Sequence, residues 1–464
     1  MTNIRRTERV LLGAVFAMEA GGSVIFALMG NLQDEFQFSD AGLGFIAAAG
    51  FMASFVMQIL IAPYADRGHA KRLLIIGTTL AVVGNALFAS GSSLIIFVLA
   101  RLISGAASGL FLPPARALMA SLDEEGVSER LGAMGGAALA GFVTGPVIGG
   151  FLVGPLGLRW PFVIFSIAAL ISLFIVSTQH LPTLPYSNDR QRLAFGLLKQ
   201  RSVLVPILML SSIALPVGMY DALWDRFLTD IGASDIVVGL SLAAYALPFV
   251  VLSRFGGRLA DRRGKVKVSF VSMLFVAPLT ALYGWFTIPL IPILLGMIES
   301  CAQAAGAPAG QGLLAEGAPE GRASAAQGLA GACNQLLAAV VAILATWGYG
   351  QVSAPTLFTI AGACVLLMGS ALRAVAPLAS IAWGDHRRDL CALRRDRNPL
   401  RGGGRRRRVV SDHGHRHLPH VALDRYLDHR ARCHSRIRHV ATHYRHVGVV
   451  QLCHVLQPRH PEHR

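Results

Sequence analysis

Three ionisable residues lie deep within long apolar stretches of this chain. Glu19 falls in AMEAGGS, Glu299 falls in GMIESCAQ, and Arg101 begins RLISGAASG. A carboxyl group taken out of water binds a proton more readily, and a nearby arginine opposes that gain. Charges in apolar surroundings are typical of proton relays and ligand sites. We therefore predict proton coupling by Glu19, Arg101 and Glu299, through a Glu19–Arg101 contact that changes on protonation.

Other roles stay open for each of these residues. Glu19 as a permanent structural partner of Arg101 is one alternative, and Arg101 snorkelling to the outer surface is another. Three roles stay open for Glu299: contact with a substrate, a proton site, or a structural pair with another side chain. A substrate cavity with apolar walls needs a few polar groups, and the candidates are Asp221, Gln303, Asn334 and Gln335. In the alternative interpretation, Asp221 and Asp225 only mark the outer rim of the protein, and Trp224 is an aromatic residue at the membrane interface.

The elements that position these residues are membrane-spanning helices. The 464 residues are 53% hydrophobic and 15% charged, against about 25% charged in soluble proteins. A spanning helix needs about 20 apolar residues, and stretches of that length are too long and continuous for barrel strands. The predicted spans are 10–32, 41–62, 73–90, 94–117, 131–154, 160–178, 203–227, 236–255, 268–287, 289–312, 325–347 and 355–376.

Basic residues set the orientation of these spans. With both termini inside, the internal segments carry 18 lysines and arginines, whereas the external loops carry only Arg159 and Arg226. The positive-inside rule therefore predicts a multi-pass protein of the cell (plasma or inner) membrane with both termini cytoplasmic.

The chain repeats at half its length. PYADRGHAKR (63–72) and GGRLADRRGK (256–265) place Asp66 and Asp261 195 residues apart, each between two apolar stretches. LPPARALMA (112–120) resembles GAPAGQGLL (306–314), and SERLGAMGGA (128–137) resembles EGRASAAQGL (320–329). Half-length repetition is typical of transporters whose two bundles rock about a central site. The predicted domains are a six-helix bundle (1–178), a cytoplasmic linker (179–202), a second six-helix bundle (203–378) and a tail (379–464).

The net charge of +16 is concentrated in the tail. Residues 381–464 hold 19 Arg, no Lys, 7 acidic residues and 13 of the 15 His. This composition predicts a disordered or out-of-frame tail, and cutting the chain at residue 380 is expected to leave transport unchanged. The alternatives for the tail are metal binding by HGHRHLPH (413–420) and a basic arm on acidic lipid or nucleic acid.

The body of the chain carries no motif for enzyme chemistry. There is no P-loop for ATP, no metal-ligand cluster and no nucleophile–base pair. We therefore predict no enzyme activity and no cofactor. The expected partners are a small-molecule substrate, protons and the lipid bilayer, with no nucleic acid, and the expected state is a monomer.

Three motifs resemble those of the major facilitator superfamily over residues 1 to about 376. The first is G-x-L-A-D-R-x-G-R-R, which Gly257, Asp261, Arg262 and Gly264 fit; the earlier copy keeps Asp66 and Arg67, with Ala62 and His69 in place of glycines. The second is G-x8-G-x3-G-P-x2-G-G in span five, which resembles the signature of the family's antiporters. Its fixed positions are Gly132, Gly141, Gly145, Pro146, Gly149 and Gly150. The third resembles R-x-x-Q-G, with Arg101 as the arginine and Ser104 replacing the glutamine.

The resemblance implies the fold and the activity. It implies an all-α membrane protein of twelve transmembrane helices in two pseudo-symmetric six-helix bundles, with the loop motifs latching the cytoplasmic side shut. The span-five motif favours proton-coupled export of small lipophilic or cationic, drug-like molecules by alternating access. One alternative is a facilitator or importer of sugars or metabolites, and another is a membrane sensor that binds ligand without transport. A basic loop that only sets topology and generic small-residue packing are the simpler interpretations of the first two motifs.

Overall fold

Long apolar helices make up the body of the molecule. The computed structural model describes residues 2–37, 39–184 and 194–369, and within these ranges it contains no strand. The first six helices are α1 (Thr2–Phe36), α2 (Asp40–Leu60), α3 (Ala70–Ser90), α4 (Leu94–Ser121), α5 (Val127–Leu156) and α6 (Trp160–Thr178). The next six are α7 (Arg201–Asp230), α8 (Asp235–Arg263), α9 (Lys265–Leu282), α10 (Leu290–Gly317), α11 (Ala323–Tyr349) and α12 (Ala354–Gly369).

Each predicted span overlaps one of these helices within the described residues, so the predicted all-α fold is confirmed; residues 370–376 of the predicted span 355–376 lie outside the described residues. Eleven helices in the described ranges are long and apolar enough to cross a membrane, and α12 is a shorter apolar helix. Residues 185–193 of the predicted linker, and the tail predicted for 379–464, lie outside the described residues.

The two copies of the loop motif have different local structures. In the first copy, Ala62–Arg67 forms a 3-10 helix and Gly68 follows with φ +81°. In the second, Gly257 and Asp261 lie in the last turns of α8, and Gly264 alone makes the bend with φ +96°. Glycine is favoured at both bends because a side chain strains this backbone conformation.

Helices pack within and between the two groups of six. In the first group α1 packs on α5, and α4 packs on α2 and α3; in the second α10 packs on α8 and α9, and α7 packs on α11. The two groups meet where α5 contacts α8 and where α2 contacts α11. Both loop motifs lie at the end of the bundle at which α1, α5 and α11 begin, and this end is called the motif face below.

The outer surface of the bundle is apolar. Large side chains such as Phe151, Ile236 and Ile343 are 78%, 76% and 69% exposed. Water penalises such surfaces strongly, whereas lipid tails accept them.

Arg130 fixes the start of α5 at the motif face. Its Nε donates to the carbonyl of Met119 at 3.2 Å, and its Nη1 donates to the carbonyl of Glu125 at 2.7 Å. A third bond goes to the carbonyl of Asp123. Because these acceptors lie at the end of α4 and in the connection to α5, Arg130 holds the first amides of α5 in place.

Candidate functional site

Glu19 of α1 lies in the field of two arginines of α4. Its half-buried carboxylate interacts electrostatically with Arg116 and, more weakly, with Arg101. Among the described residues, no ion pair of 4.0 Å or shorter joins Glu19 to either arginine. The two arginines are 15 positions apart, which is about 22 Å along a straight helix. Arg101 and Arg116 therefore both act on Glu19 electrostatically, and the predicted Glu19–Arg101 contact that changes on protonation stays a prediction.

Arg101 is directed into the protein and not toward the surface. It is 7% exposed, its Nη1 donates to the carbonyl of Gly22 on α1 at 2.7 Å, and its guanidinium lies 4.7 Å from the ring centre of Phe26. These contacts contradict snorkelling. Gly50 of α2 gives the arginine room, because a Cβ there would lie 2.6 Å from the Arg101 Nε.

Glu299 of α10 is fully buried in the second group of helices. Its Oε2 accepts hydrogen bonds from the hydroxyls of Tyr220 and Tyr283, both at 2.7 Å, and its Oε1 accepts from Gln303 Nε2 at 2.8 Å. The Tyr245 hydroxyl donates to Gln303 Oε1 at 2.9 Å, which orients the amide. Three neutral donors therefore hold the carboxyl group, and no basic side chain of the described chain pairs with it within 4.0 Å.

Aromatic rings surround the Glu299 network. The ring of Tyr220 lies 5.3 Å from that of Tyr283, 5.6 Å from that of Trp224 and 6.0 Å from that of Tyr245. These residues come from α7, α8 and the short turn Tyr283–Trp285, so three elements converge on α10. We call Glu299, Gln303, Tyr220, Tyr245 and Tyr283 the tyrosine cage.

Trp224 is an inner residue, which corrects its interpretation as an interface aromatic. It is 6% exposed, and its indole N–H donates to Ser241 Oγ at 2.8 Å. Burial of the ring against Tyr283 and a satisfied N–H outweigh the preference of tryptophan for the membrane interface.

Asp66 joins the first group of helices to the start of α11. Its two carboxylate oxygens accept hydrogen bonds from the backbone N–H groups of Ser324 and Ala325, both at 2.8 Å. The Ser324 hydroxyl donates back to the carbonyl of Ala62 at 2.9 Å. Asp66 is 2% exposed. The free amides and the positive end of the α11 dipole favour a carboxylate at this position.

Asp261 makes the equivalent contact in the opposite direction. It lies in α8, and its oxygens accept hydrogen bonds from the N–H groups of Ser128 at 3.1 Å and Glu129 at 2.9 Å, at the start of α5. Lys265 Nζ lies 3.0 Å from Asp261 Oδ1 and 2.8 Å from Glu316 Oε1. The two groups of helices are therefore bonded twice at the motif face, and we call the Asp66 and Asp261 contacts the paired latch.

An ionic cluster lies beside the Asp261 contact. Glu129 accepts two hydrogen bonds from Arg258, at 2.8 and 3.0 Å, and one from Arg254 Nε at 3.1 Å. Arg254 Nη2 also lies 3.2 Å from Glu8 Oε1 on α1. This cluster joins α1, α5 and α8 at the motif face.

The remaining motif residues play smaller parts at this face. Arg67 lies over the ring of Tyr64 at 5.1 Å, and Arg262 is exposed at the end of α8. Gly257 permits close packing, because a Cβ there would lie 2.1 Å from the carbonyl oxygen of Ser128.

The span-five glycines bring two helices close to α5. Added Cβ atoms at Gly141 and Gly145 would lie 2.3 and 2.2 Å from carbonyl oxygens of α1, and one at Gly149 would lie 2.8 Å from Val24 Cγ2. A Cβ at Gly132 would instead lie 2.2 Å from the Ser253 carbonyl oxygen of α8. At Gly150 the same atom would meet nothing within 4 Å.

The same helix contains a proline within this glycine pattern. Pro146 lies inside α5, where it has no N–H for the helical hydrogen-bond ladder. The motif therefore combines close backbone contact on two sides of α5 with a locally weakened helix.

Polar groups also join α2, α7 and α11. Gln58 Nε2 of α2 donates to Ser54 Oγ at 3.0 Å and to Gln335 Oε1 of α11 at 3.2 Å. Asn334 Oδ1 accepts from Ser211 Oγ of α7 at 3.0 Å. The predicted cavity residues therefore lie in two separate places: Asn334 lies on α11, whereas Gln303 belongs to the tyrosine cage. The side chain of Asp221 lies outside those described.

Sequence reasoning missed Arg116, Gln58 and the inner tyrosines Tyr245 and Tyr283. Arg116 carried a signal, because it is a basic residue in the apolar stretch 94–117 that contains Arg101. The tyrosines carried none, since aromatic residues in spanning helices are most often packing or lipid contacts.

Known proteins resemble this chain in sequence and in fold. The profile of the Major Facilitator Superfamily matches residues 11–224 and 207–382. Multidrug resistance protein 2 of Bacillus subtilis is 25% identical over 174 residues, a match that covers 36% of this chain and 43% of that protein. The chain is therefore matched to less than half the length of this relative.

Two solved transporters share the fold at low sequence identity. FucP, a Major Facilitator Superfamily transporter solved in the outward conformation, gives a TM-score of 0.66 at 16% identity over 79% of this chain and 98% of its own. The human organic anion transporter MFSD10 gives a TM-score of 0.64 at 20% identity over 80% of this chain and 99% of its own. At these identities the likeness shows the fold alone.

Proposed function

Because this chain belongs to the major facilitator superfamily and is a multi-pass membrane transporter, we propose that it is a proton-coupled exporter. Its substrates are small lipophilic or cationic molecules, and it moves them by alternating access. The observation that carries the proposal is the paired latch: two aspartates bond the two six-helix groups together at one end of the molecule. Contacts of this kind are made and broken when two bundles rock about a shared site.

The paired latch is the gate in this proposal. We place the motif face in the cytoplasm, since the positive-inside rule assigns the loops beside Asp66 and Asp261 to that side. With both aspartates on helix N-termini, the cytoplasmic end is closed. Opening that end requires both carboxylates to leave their backbone donors.

Glu19 is the proton carrier in this proposal, and Arg116 and Arg101 respond to its charge. The carboxylate lies in the field of both arginines but forms a close ion pair with neither. Protonation removes the negative charge that attracts both arginines of α4. The electrostatic attraction between α1 and α4 is then weaker, which favours a different arrangement of the two helices and links proton binding to the gate.

The direction and the substrate class rest on two supports. The glycine pattern of α5 resembles that of the family's antiporters, and the structure uses it for close contact with both α1 and α8. The Bacillus subtilis relative is a multidrug resistance protein. An exporter that exchanges protons for drug-like molecules fits both observations.

Dye transport into everted vesicles tests this proposal. The full-length protein is expressed in cells, and inside-out membrane vesicles are given an acidic lumen and a panel of lipophilic fluorescent dyes. A proton-coupled exporter accumulates at least one dye, and a protonophore abolishes the accumulation. Glu19→Gln is expected to remove the accumulation but to keep dye binding, whereas the matched control Asp225→Asn, an exposed carboxylate of α7, keeps both.

The competing functions give different results in the same vesicles. A facilitator equilibrates dye at a rate that does not depend on the pH gradient. A proton-coupled importer accumulates its substrate only when the gradient is reversed. A membrane sensor binds ligand but shows no flux in either direction.

A further inference from the structure

Glu19 and Glu299 have opposite electrostatic surroundings. Glu19 interacts electrostatically with Arg116 and Arg101 of α4, so its negative charge has positive partners in the protein. Glu299 accepts hydrogen bonds from two hydroxyls and one amide, all neutral, at 2.7 to 2.8 Å. A fully buried carboxylate without a positive partner costs several kcal/mol. A proton or a positively charged ligand removes this cost.

The rings around Glu299 provide the second half of a cation site. Aromatic faces are negative and attract a cation that lies within about 6 Å of the ring centre. Tyr220 packs edge-on against both Tyr245 and Tyr283, at interplanar angles of 77° and 80°. The rings are therefore turned in different directions around one carboxyl group. Such an arrangement recognises the diffuse charge of an organic ammonium or phosphonium centre.

The tyrosine cage is less enclosed on one side than on the other. Glu299 and Tyr283 are fully buried, whereas Tyr220 and Tyr245 are only half-buried. A ligand therefore meets Tyr220 and Tyr245 first and Glu299 behind them. The O–H groups that bond the carboxyl group and Gln303 can turn about their C–O bonds, so they can change partners as a cation approaches.

We propose that Glu299, with the rings of Tyr220 and Tyr245, binds the positive centre of an organic cation. The inference rests on the transport function proposed above and names the substrate class and its subsite. It assigns Glu299 to the substrate and leaves proton coupling to Glu19. The arginine pair of α4 repels the same cation, so the substrate binds on the side of the second six helices.

Equilibrium binding to the full-length protein in detergent tests this assignment without any proton gradient. Tetraphenylphosphonium and tetraphenylborate have the same shape and opposite charge, and triphenylphosphine oxide is a neutral comparison. The wild-type protein is expected to bind the phosphonium about tenfold more tightly than the borate. Glu299→Gln is expected to weaken phosphonium binding by about tenfold, or about 1.4 kcal/mol, and to change binding of the neutral probe less than about twofold.

Two further variants distinguish loss of the binding site from misfolding of the protein. Tyr245→Leu keeps Glu299 but removes a half-buried ring, and it is expected to weaken phosphonium binding by about fivefold, within the range of a cation–π contact. Asp225→Asn removes an exposed carboxylate from α7, the helix of Tyr220, and is expected to bind all three probes as the wild type does. If Glu299→Gln does not give monodisperse protein, Tyr245→Leu decides the question.

Several results would overturn the assignment. One is unchanged phosphonium binding in Glu299→Gln or, should that variant not fold, in Tyr245→Leu. Another is a wild type that prefers the borate, binds both ions equally or binds no probe. Preference for the borate would point instead to the arginines of α4. The proposed function fails differently, because a cation preference without flux driven by a pH gradient leaves the cage in place and rejects proton-coupled export.

Discussion

Asp66 and Asp261 are 195 residues apart in the sequence and make equivalent contacts in the fold. Each carboxylate accepts two backbone hydrogen bonds at the N-terminus of a helix in the other group of six. The surroundings of the two carboxylates differ. Asp66 is 2% exposed, whereas Asp261 also has a charged partner, Lys265.

Removing either aspartate is expected to open the motif face, with Asp66→Ala the more severe change. Loss of an N-terminal cap and of its charge–dipole attraction costs about 1 to 2 kcal/mol, so the ratio of closed to open protein falls by about tenfold for Asp66→Ala. Asp261→Ala is milder, because Lys265 keeps Glu316 as a partner. Spin labels at Glu124 and Glu320, exposed residues of the α4–α5 and α10–α11 connections, report the opening by pulsed distance measurement in a cysteine-free background.

The control for the latch is Asp225→Ala, which removes a carboxylate from the opposite end of the molecule. Its label distances are expected to match those of the parent protein. Equal distances in all four proteins would mean that the aspartates only stabilise local structure and do not hold the face closed.

Two glycines of α5 provide a matched test of close helix packing. In Gly145→Ala the new Cβ lies 2.2 Å from the Ala20 carbonyl oxygen and 2.4 Å from Ser23 Oγ, whereas in Gly150→Ala it meets nothing within 4 Å. Overpacking costs about 1 to 3 kcal/mol, while alanine is slightly better than glycine in an exposed helix. Thermal unfolding in detergent is expected to show a lower Tm for Gly145→Ala and an unchanged or higher Tm for Gly150→Ala. Equal loss of stability in both would reject the close α1–α5 contact.

Arg116 is expected to set the pH dependence of transport more strongly than Arg101. Removing a positive charge near Glu19 makes the carboxyl group bind its proton more readily, so the pH of half-maximal transport rises. For Arg116→Gln the rise is expected to be about one pH unit, measured as initial dye flux over a pH series. Arg101→Gln is expected to shift the pH profile less than Arg116→Gln but to lower Tm more. Arg101 also donates a hydrogen bond to the carbonyl of Gly22 and packs over the ring of Phe26, and both contacts are lost. A profile that is unchanged in Arg116→Gln, or displaced to lower pH, would contradict this role.

The sequence predicted the helices well because the relevant signal is local. Within the described residues each predicted span overlaps an observed helix, and the two-bundle division that the repeated aspartates predicted stays a prediction. The alignment of the two similar segments at the starts of spans five and eleven was predicted less well. SERLGAMGGA and EGRASAAQGL match at a separation of 192 residues, but the latch makes Ser128 equivalent to Ser324, a separation of 196. Four residues are about one helical turn, so an apolar helical pattern fits either register almost equally well.

The candidate site was predicted only in part, because its pairings are long-range. Glu19 and Arg101 stand out as charges in apolar sequence, but nothing local shows that Arg116 also acts on Glu19. The tyrosine cage joins Tyr220, Tyr245 and Tyr283 to Glu299 from separate helices and a turn, and each tyrosine alone is an ordinary aromatic residue. Trp224 shows the same limit, since its amphipathic ring suits the interface and its hydrogen bond to Ser241 is visible only in the fold.

The most direct test of proton-coupled export is the pH change that a substrate gradient produces. Proteoliposomes that contain the full-length protein, tetraphenylphosphonium and a lumenal pH dye are diluted into substrate-free buffer at equal pH, with the membrane potential clamped. An exchanger admits protons as the cation leaves, so the lumen is expected to acidify with the wild type but not with Glu19→Gln or in protein-free liposomes. Lumenal alkalinisation would indicate symport, and loss of the cation through the protein without any pH change would indicate uncoupled transport; either result would contradict the account.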